Sequence, residues 1–179
     1  YGKFMNRKKL PKQVIPPDLP EAIPDPHVAE VKQIVTLHFA DHPGDVETFW
    51  WPTTREGALY WLDDFLHQRL AQFGPFEDAL TSRSDTLFHS TLSPLLNLGL
   101  LTPDEVVDAA IQFSKTGQIL LQSLEGFVRQ IIGWREFVRG IHQTYSGQQA
   151  TSNFGQHERG LANSWDDAQT GITPLDDAI

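Results

Sequence analysis

Cysteine is absent from the 179 residues of this chain. That excludes disulfides, a thiolate nucleophile, a zinc ribbon and a protein-ligated iron–sulfur cluster within the segment. It also fits an intracellular, cytoplasmic setting. No apolar run approaches the roughly 20 residues of a membrane span. The opening Tyr1-Gly2-Lys3-Phe4-Met5 has no apolar signal-peptide core. His27, His38, His42, His67, His89, His142 and His157 show neither HxxxH nor HExxH spacing, so no metal site is expected. A Gly-rich nucleotide loop, the alternation of a strand and an internal repeat are all missing. Bases are few: 14 against 23 acids, a net charge of -9, which argues against a general nucleic-acid binder. Any DNA contact must then rest on a local basic patch.

What is present reads as a helical chain with one core. The hydrophobic fraction of 40% and aromatic fraction of 11% suit a globular domain of this length. Residues 1–25 form a linker or extended arm, kept out of helix by Pro11, Pro16, Pro17, Pro20 and Pro24. Its Arg7-Lys8-Lys9 run suits a solvated tether. Residues 26–179 carry the helices. Asp25-Pro26 opens one over 27–40, with Val28, Val31, Ile34 and Val35 on one face. Thr53 and Glu56 predict a capping box for a helix running to Phe73, with Leu59, Leu62, Phe65, Leu66 and Leu70 inward and Gly74-Pro75 as its stop. A helix over 86–98 closing at Gly99 is expected next. Thr102-Pro103-Asp104-Glu105 is a second capping box, opening a helix that ends near Lys115 and Gly117. A long helix follows over 118–144, and Thr173-Pro174 starts another turn. Every element is α-helical.

The 127–139 segment places three arginines in an apolar helix around Trp134-Arg135-Glu136. Arg135 and Arg139 lie four apart and share a face. A guanidinium among Ile, Trp and Phe is costly to bury unless it meets an anion; a helical ion pair beside a core tryptophan is the plainer account. Upstream, Ser90, Thr91 and Ser93 crowd the start of an apolar segment, where hydroxyls and free N–H groups can cradle phosphate or simply cap the helix. Asp63-Asp64 points two ways on a helix and forms no dyad. His157-Glu158-Arg159 falls in a polar loop.

Taken together, these stretches resemble the photolyase/cryptochrome family: Ser-x-Leu-Ser-Pro, then Trp-Arg-Glu-Phe some way on. Asn6-Arg7-Lys8-Lys9-Leu10-Pro11-Lys12, Trp51-Pro52-Thr53-Thr54-Arg55, Leu62-Asp63-Asp64-Phe65, Thr86-Leu87-Phe88-His89-Ser90, the Glu125 to Gly140 block and Asn153 through Arg159 are similar to one branch. That branch is the deoxyribodipyrimidine photolyase-related proteins, the bacterial (6-4) photolyase-like group. The resemblance implies an α/β antenna domain before this segment, the linker end at 1–25, and in 26–179 the first half of an all-helical FAD-binding domain. It implies light-driven repair of pyrimidine photoproducts in damaged DNA, with a cryptochrome-like receptor or a cofactor-free helical interaction module as alternatives. Ser90, Thr91, Leu92 and Ser93 resemble the residues holding the FAD phosphates, and Arg135 the arginine beside the flavin. Gln130 and Trp134 resemble cofactor- and lesion-facing positions, Trp134 the catalytic one. Arg129 falls to the FAD, Arg139, His157 and Arg159 to DNA, and Trp165 to electron transfer. The branch carries an iron–sulfur cluster whose first cysteine would fall near Pro174; this chain offers no ligand for it.

Overall fold

The computed structural model describes residues 9–117 and 119–178. Arg7 and Lys8 of the basic run, and Gln118, where the long helix was expected to begin, lie outside the described residues. Among the described residues every regular element is helical: α1 (Pro26–His38), α2 (Arg55–Gln68), α3 (Leu70–Phe76), α4 (Ser93–Asn97), α5 (Pro103–Ser114), α6 (Leu121–Thr151) and α7 (Thr173–Asp176), with 3-10 turns at Val46–Thr48 and Asn163–Trp165. No described helix is long and apolar enough to cross a membrane. The chain divides into two compact units, one built from residues up to Val28 with Trp50–Gly140, the other from Ala29–Phe49 with Ile141–Ile179.

The first unit holds the core. α2 turns Ala58, Trp61, Leu62, Phe65 and Leu66 inward, a 3–4 spacing that continues into Leu70 and Phe73 of α3. Leu59 is out of that register and lies exposed, against expectation. α5 adds Val106 and Ala110, α6 adds Phe127 and Ile131, and the segment around α4 adds Leu92, Leu95 and Leu101. Phe65 and Phe127 meet at 4.7 Å, and Phe73 closes edge-on to both. The proline-rich strap at 9–25 has no helix, yet it is packed: Leu19 and Ala22 lie against this core. Leu10 is buried in a smaller cluster with Phe76, Ala79, Leu87 and Phe88.

Local chemistry sets the helix ends, in several places differently from expectation. Thr54, not Thr53, caps α2 by accepting from the Gly57 amide, while Thr53 donates to Asp25 Oδ2 at 2.7 Å. Thr54 has the extended backbone of a cap and sits three residues before the amide it satisfies. α2 breaks at Arg69, and Gly74-Pro75 lies inside α3 instead of ending a helix. The hydrogen bond that Pro75 cannot donate is replaced from α6: buried Ser123 donates to the Ala71 carbonyl and accepts from the Gly74 amide. A side chain at position 74 would strike the backbone of Ser123 at 2.8 Å, so only glycine permits this approach. The expected helix over 86–98 shrinks to α4, because Leu87 and Thr91 take left-handed backbone. Gly99, at φ +75, closes it as expected. The capping box on α5 is present in full, and Glu105 also pairs with Arg55 of α2. α6 outruns its expected end and passes through Ser146-Gly147; where it ends, the hydroxyls of Thr151 and Ser152 bond back to the carbonyls of Gly147 and Gln148.

The second unit is polar and lightly packed, and none of its described residues is buried. Lys32 of α1 bonds Glu47 at 3.1 Å. The apolar stripe of α1 is not covered: Val31 and Ile34 are both more than half exposed. Thr170 and the Gly171 amide bond the carboxylate of Asp176, which fastens α7 to the loop before it.

Candidate functional site

The segment 86–93 is strained and is held from three sides. Two non-glycine residues, Leu87 at φ 49 and Thr91 at φ 54, occupy the left-handed region, which costs roughly 1 kcal/mol or more each. Ser84 Oγ accepts from the amides of Thr86 and Leu87. Arg69 reaches the His89 carbonyl at 3.3 Å. Trp61 donates its indole N–H to Thr91 Oγ1 at 2.9 Å, and that hydroxyl donates in turn to the Ser90 carbonyl. Below the segment, Phe88 stacks on Phe76 at 5.4 Å and His89 meets Phe73 edge-on at 5.9 Å. Burial pushes the His89 imidazole below its ordinary range, against the opposing pull of the Glu77 and Asp78 carboxylates.

Sequence reasoning passed over two parts of this framework. Arg69 is 0% exposed, bonded to Asp64 Oδ2 at 2.6 Å, with its guanidinium 5.8 Å from the Phe65 ring centre. Among the described residues its Nε has no hydrogen-bond partner. Burial lowers the guanidinium pKa below its ordinary value and the Asp64 charge opposes the shift. The signal was Asp64-Phe65…Arg69: an acid, a ring and a base on adjoining turns of an apolar face. Trp50, Trp51 and Trp61 form the second part, stacked at 4.1 Å and 5.9 Å from the surface into the core. Only their spatial meeting makes them a group.

Of the predicted phosphate-holding residues, Ser90 is half-buried and Ser93 is exposed at the start of α4. The Thr91 hydroxyl is engaged by Trp61, and Leu92 is fully buried in the core that also contains Ile131 of α6. Thr91 and Leu92 are thus left with backbone groups to offer. On α6 the three arginines differ. Arg129 pairs with Glu125 at 3.2 Å and Arg139 with Glu136 at 3.4 Å. Arg135 is half-buried and donates only to the Ile131 carbonyl of its own helix, at 2.9 Å; no acidic side chain among the described residues pairs with it. Trp134 and Gln130 are brought together, the indole N–H donating to Gln130 Oε1 at 2.9 Å. The remaining predicted residues fall in the second unit. His157 is tied through its backbone to the Asn153 amide, Arg159 is exposed, and Trp165 ends a 3-10 turn.

Chemically, α6 offers a half-buried cation without an acid among the described residues and a bonded indole one residue before it. A partly desolvated guanidinium favours a planar or multiply charged anion, and the indole face favours a ring. Comparison with known proteins narrows the class. A family model described as deoxyribodipyrimidine photo-lyase-related protein matches residues 4–51. Over 156 residues, 87% of the chain, the sequence is 36% identical to a protein of Agrobacterium fabrum named (6-4) photolyase, and it spans 31% of that relative's length. Over 105 residues, 58% of the chain, it is 38% identical to an uncharacterised protein of Acanthamoeba polyphaga mimivirus, spanning 80% of it. The chain is therefore a photolyase-related helical protein. It belongs to the deoxyribodipyrimidine photolyase-related family.

Proposed function

We propose that this chain is part of a FAD-dependent, light-driven DNA photolyase acting on pyrimidine photoproducts. The observation that carries the reading is Arg135: a half-buried guanidinium that among the described residues bonds only its own helix, in a chain 87% of which matches a (6-4) photolyase relative. The residues present fit an anionic flavin cofactor at that point. Bound there, FAD would supply light-driven electron-transfer chemistry toward a photoproduct flipped from the DNA stack.

In this reading the chain's own groups bind and orient. Arg135 neutralises the flavin, with Arg129 close by along α6. Ser90 and Ser93 offer hydroxyls to the FAD phosphates, Thr91 and Leu92 their backbone N–H groups. Trp134 presents its ring to the lesion as the catalytic residue, and Gln130 bonds it. Arg139, His157 and Arg159 meet DNA phosphates, and Trp165 carries electrons. An antenna domain and the second half of the FAD domain, in the full-length protein, complete the site. Any iron–sulfur cluster draws its cysteines from outside these 179 residues.

A second reading, a cofactor-free helical interaction module, is favoured by the engagement of Thr91 and Leu92 in the core. The visible absorption spectrum of the full-length protein separates the two. Flavin bands that bleach in blue light with a reductant support the photolyase reading, and Arg135→Leu lowers the flavin bound per protein while the helical circular dichroism stays unchanged. A folded full-length protein without flavin, even after incubation with FAD, overturns it in favour of the module.

A further inference from the structure

Gln130 lies in the middle of a hydrogen-bond chain that has one direction. Trp134 Nε1 donates to Gln130 Oε1 at 2.9 Å, and Gln130 Nε2 donates to Glu77 Oε1 at 2.5 Å. An indole N–H can only donate and a carboxylate can only accept, so the amide between them has a single satisfied orientation. Glu77 follows the last residue of α3, in the first unit with Gln130 and Trp134. Its other oxygen, Oε2, lies against α6 at Gly126, where a Cβ would come within 3.3 Å. Gly126 is one turn before Gln130, and a side chain there would press on the carboxylate.

Trp134 is 63% exposed, touched edge-on by Phe137 at 6.2 Å. So open an indole would ordinarily spread over several rotamers, and fixing it costs conformational entropy. The chain from Glu77 offsets that cost before any ring arrives, which is preorganisation in the ordinary sense.

We propose that Glu77 is a positioning residue for Trp134: through Gln130 it holds the indole in one orientation as a flat platform for a pyrimidine ring. The proposal rests on the reading of Trp134 as lesion-facing, and Glu77 itself touches no lesion.

The test is the indole N–H spectrum of the full-length protein labelled with 15N-tryptophan, the Trp134 signal being assigned by its loss in Trp134→Phe. Glu77→Gln keeps an acceptor oxygen and leaves that signal in place. Glu77→Lys offers only donors, turns the amide round and sets its NH2 against the indole N–H. The Trp134 signal then moves toward that of an unbonded indole and exchanges with solvent about fivefold faster, the effect of losing one hydrogen bond. Gln130→Met does the same. If Glu77→Lys leaves the signal where Gln130→Met moves it, Gln130 holds the indole alone and the proposal is overturned. Should Glu77→Lys not fold, Glu77→Ala removes the carboxylate without placing a cation there, and an unmoved Trp134 signal in that variant overturns the proposal equally. Affinity for a photoproduct-containing oligonucleotide judges the other reading separately: full affinity in Trp134→Ala removes the lesion-facing role, whereas the indole signal still decides what Glu77 does.

Discussion

Ser123 donates its hydroxyl proton to the carbonyl of Ala71 at 2.9 Å and so makes the hydrogen bond that Pro75 cannot. The same oxygen accepts from the Gly74 amide at 3.1 Å, and the serine is fully buried. One side chain therefore satisfies two main-chain groups and ties α3 to α6. Ser123→Ala leaves the Ala71 carbonyl without a donor, while the Gly74 amide keeps its helical partner. The expected loss is about 1–3 kcal/mol, the cost of one polar group left unpaired. Urea denaturation checks it; a loss under about 1 kcal/mol would mean that the two helices can part and admit water.

The buried pair Asp64–Arg69 makes a different prediction, about asymmetry. Arg69 is 0% exposed at the side chain and Asp64 18%. Asp64→Asn strands a cation in the core and is expected to cost about 3–5 kcal/mol. Adding Arg69→Met removes the stranded charge, so the double variant should be more stable than Asp64→Asn alone. Thermal unfolding of both decides it, and a double variant less stable than the single would show that the Arg69 bond to the His89 carbonyl outweighs the charge.

His89 sets a pH dependence. Its folded pKa lies below the ordinary value of 6.5, chiefly through burial. The unfolded chain therefore binds a proton first as pH falls. The stability this histidine contributes is complete above about 6.5 and is lost as pH drops through the lower, folded value. His89→Asn should flatten the stability curve in that window. Urea midpoints measured from neutral pH downward test this, and an equal slope in parent and variant would remove His89 as the cause.

How much of this could be read from the chain depends on how far each cause lies along it. The capping box of α5 is complete within Thr102 to Glu105, so it was legible. The buried stripe of α2 from Leu62 to Leu66 follows from periodicity. Pro75 inside α3 was not legible, because the group that replaces its hydrogen bond sits on α6, 52 positions from Ala71. The lost helix over 86–92 has the same origin: Thr91 is held in left-handed backbone by a bond from Trp61, 30 residues away. At the site, Arg135 stood out as a cation in apolar company, a local cue. Glu77 gave no cue, since only the packing of α3 on α6 brings its carboxylate to Gln130.

Arg83 fastens the proline-rich strap. Its Nη1 donates to the carbonyls of Lys12 and Val14, both at 3.1 Å, and its Nη2 to those of Pro11 at 3.0 Å and Leu10 at 3.5 Å. A strap of this kind has no ladder or helix to satisfy its carbonyls, and a planar fork of five N–H donors suits four of them within five residues. Leu10, buried beside Phe76 and Phe88, supplies the apolar half of the attachment. Arg83 is exposed, so water can replace it, and the global cost of Arg83→Ala should be small, about 1 kcal/mol. The local effect should be larger. Amide exchange of residues 10–15 should quicken severalfold in Arg83→Ala, and Arg83→Lys, a point charge without the fork, should recover little of it. Exchange unchanged in both variants would show that Leu10 alone holds the strap, and Leu10→Ala would then be the variant that frees it.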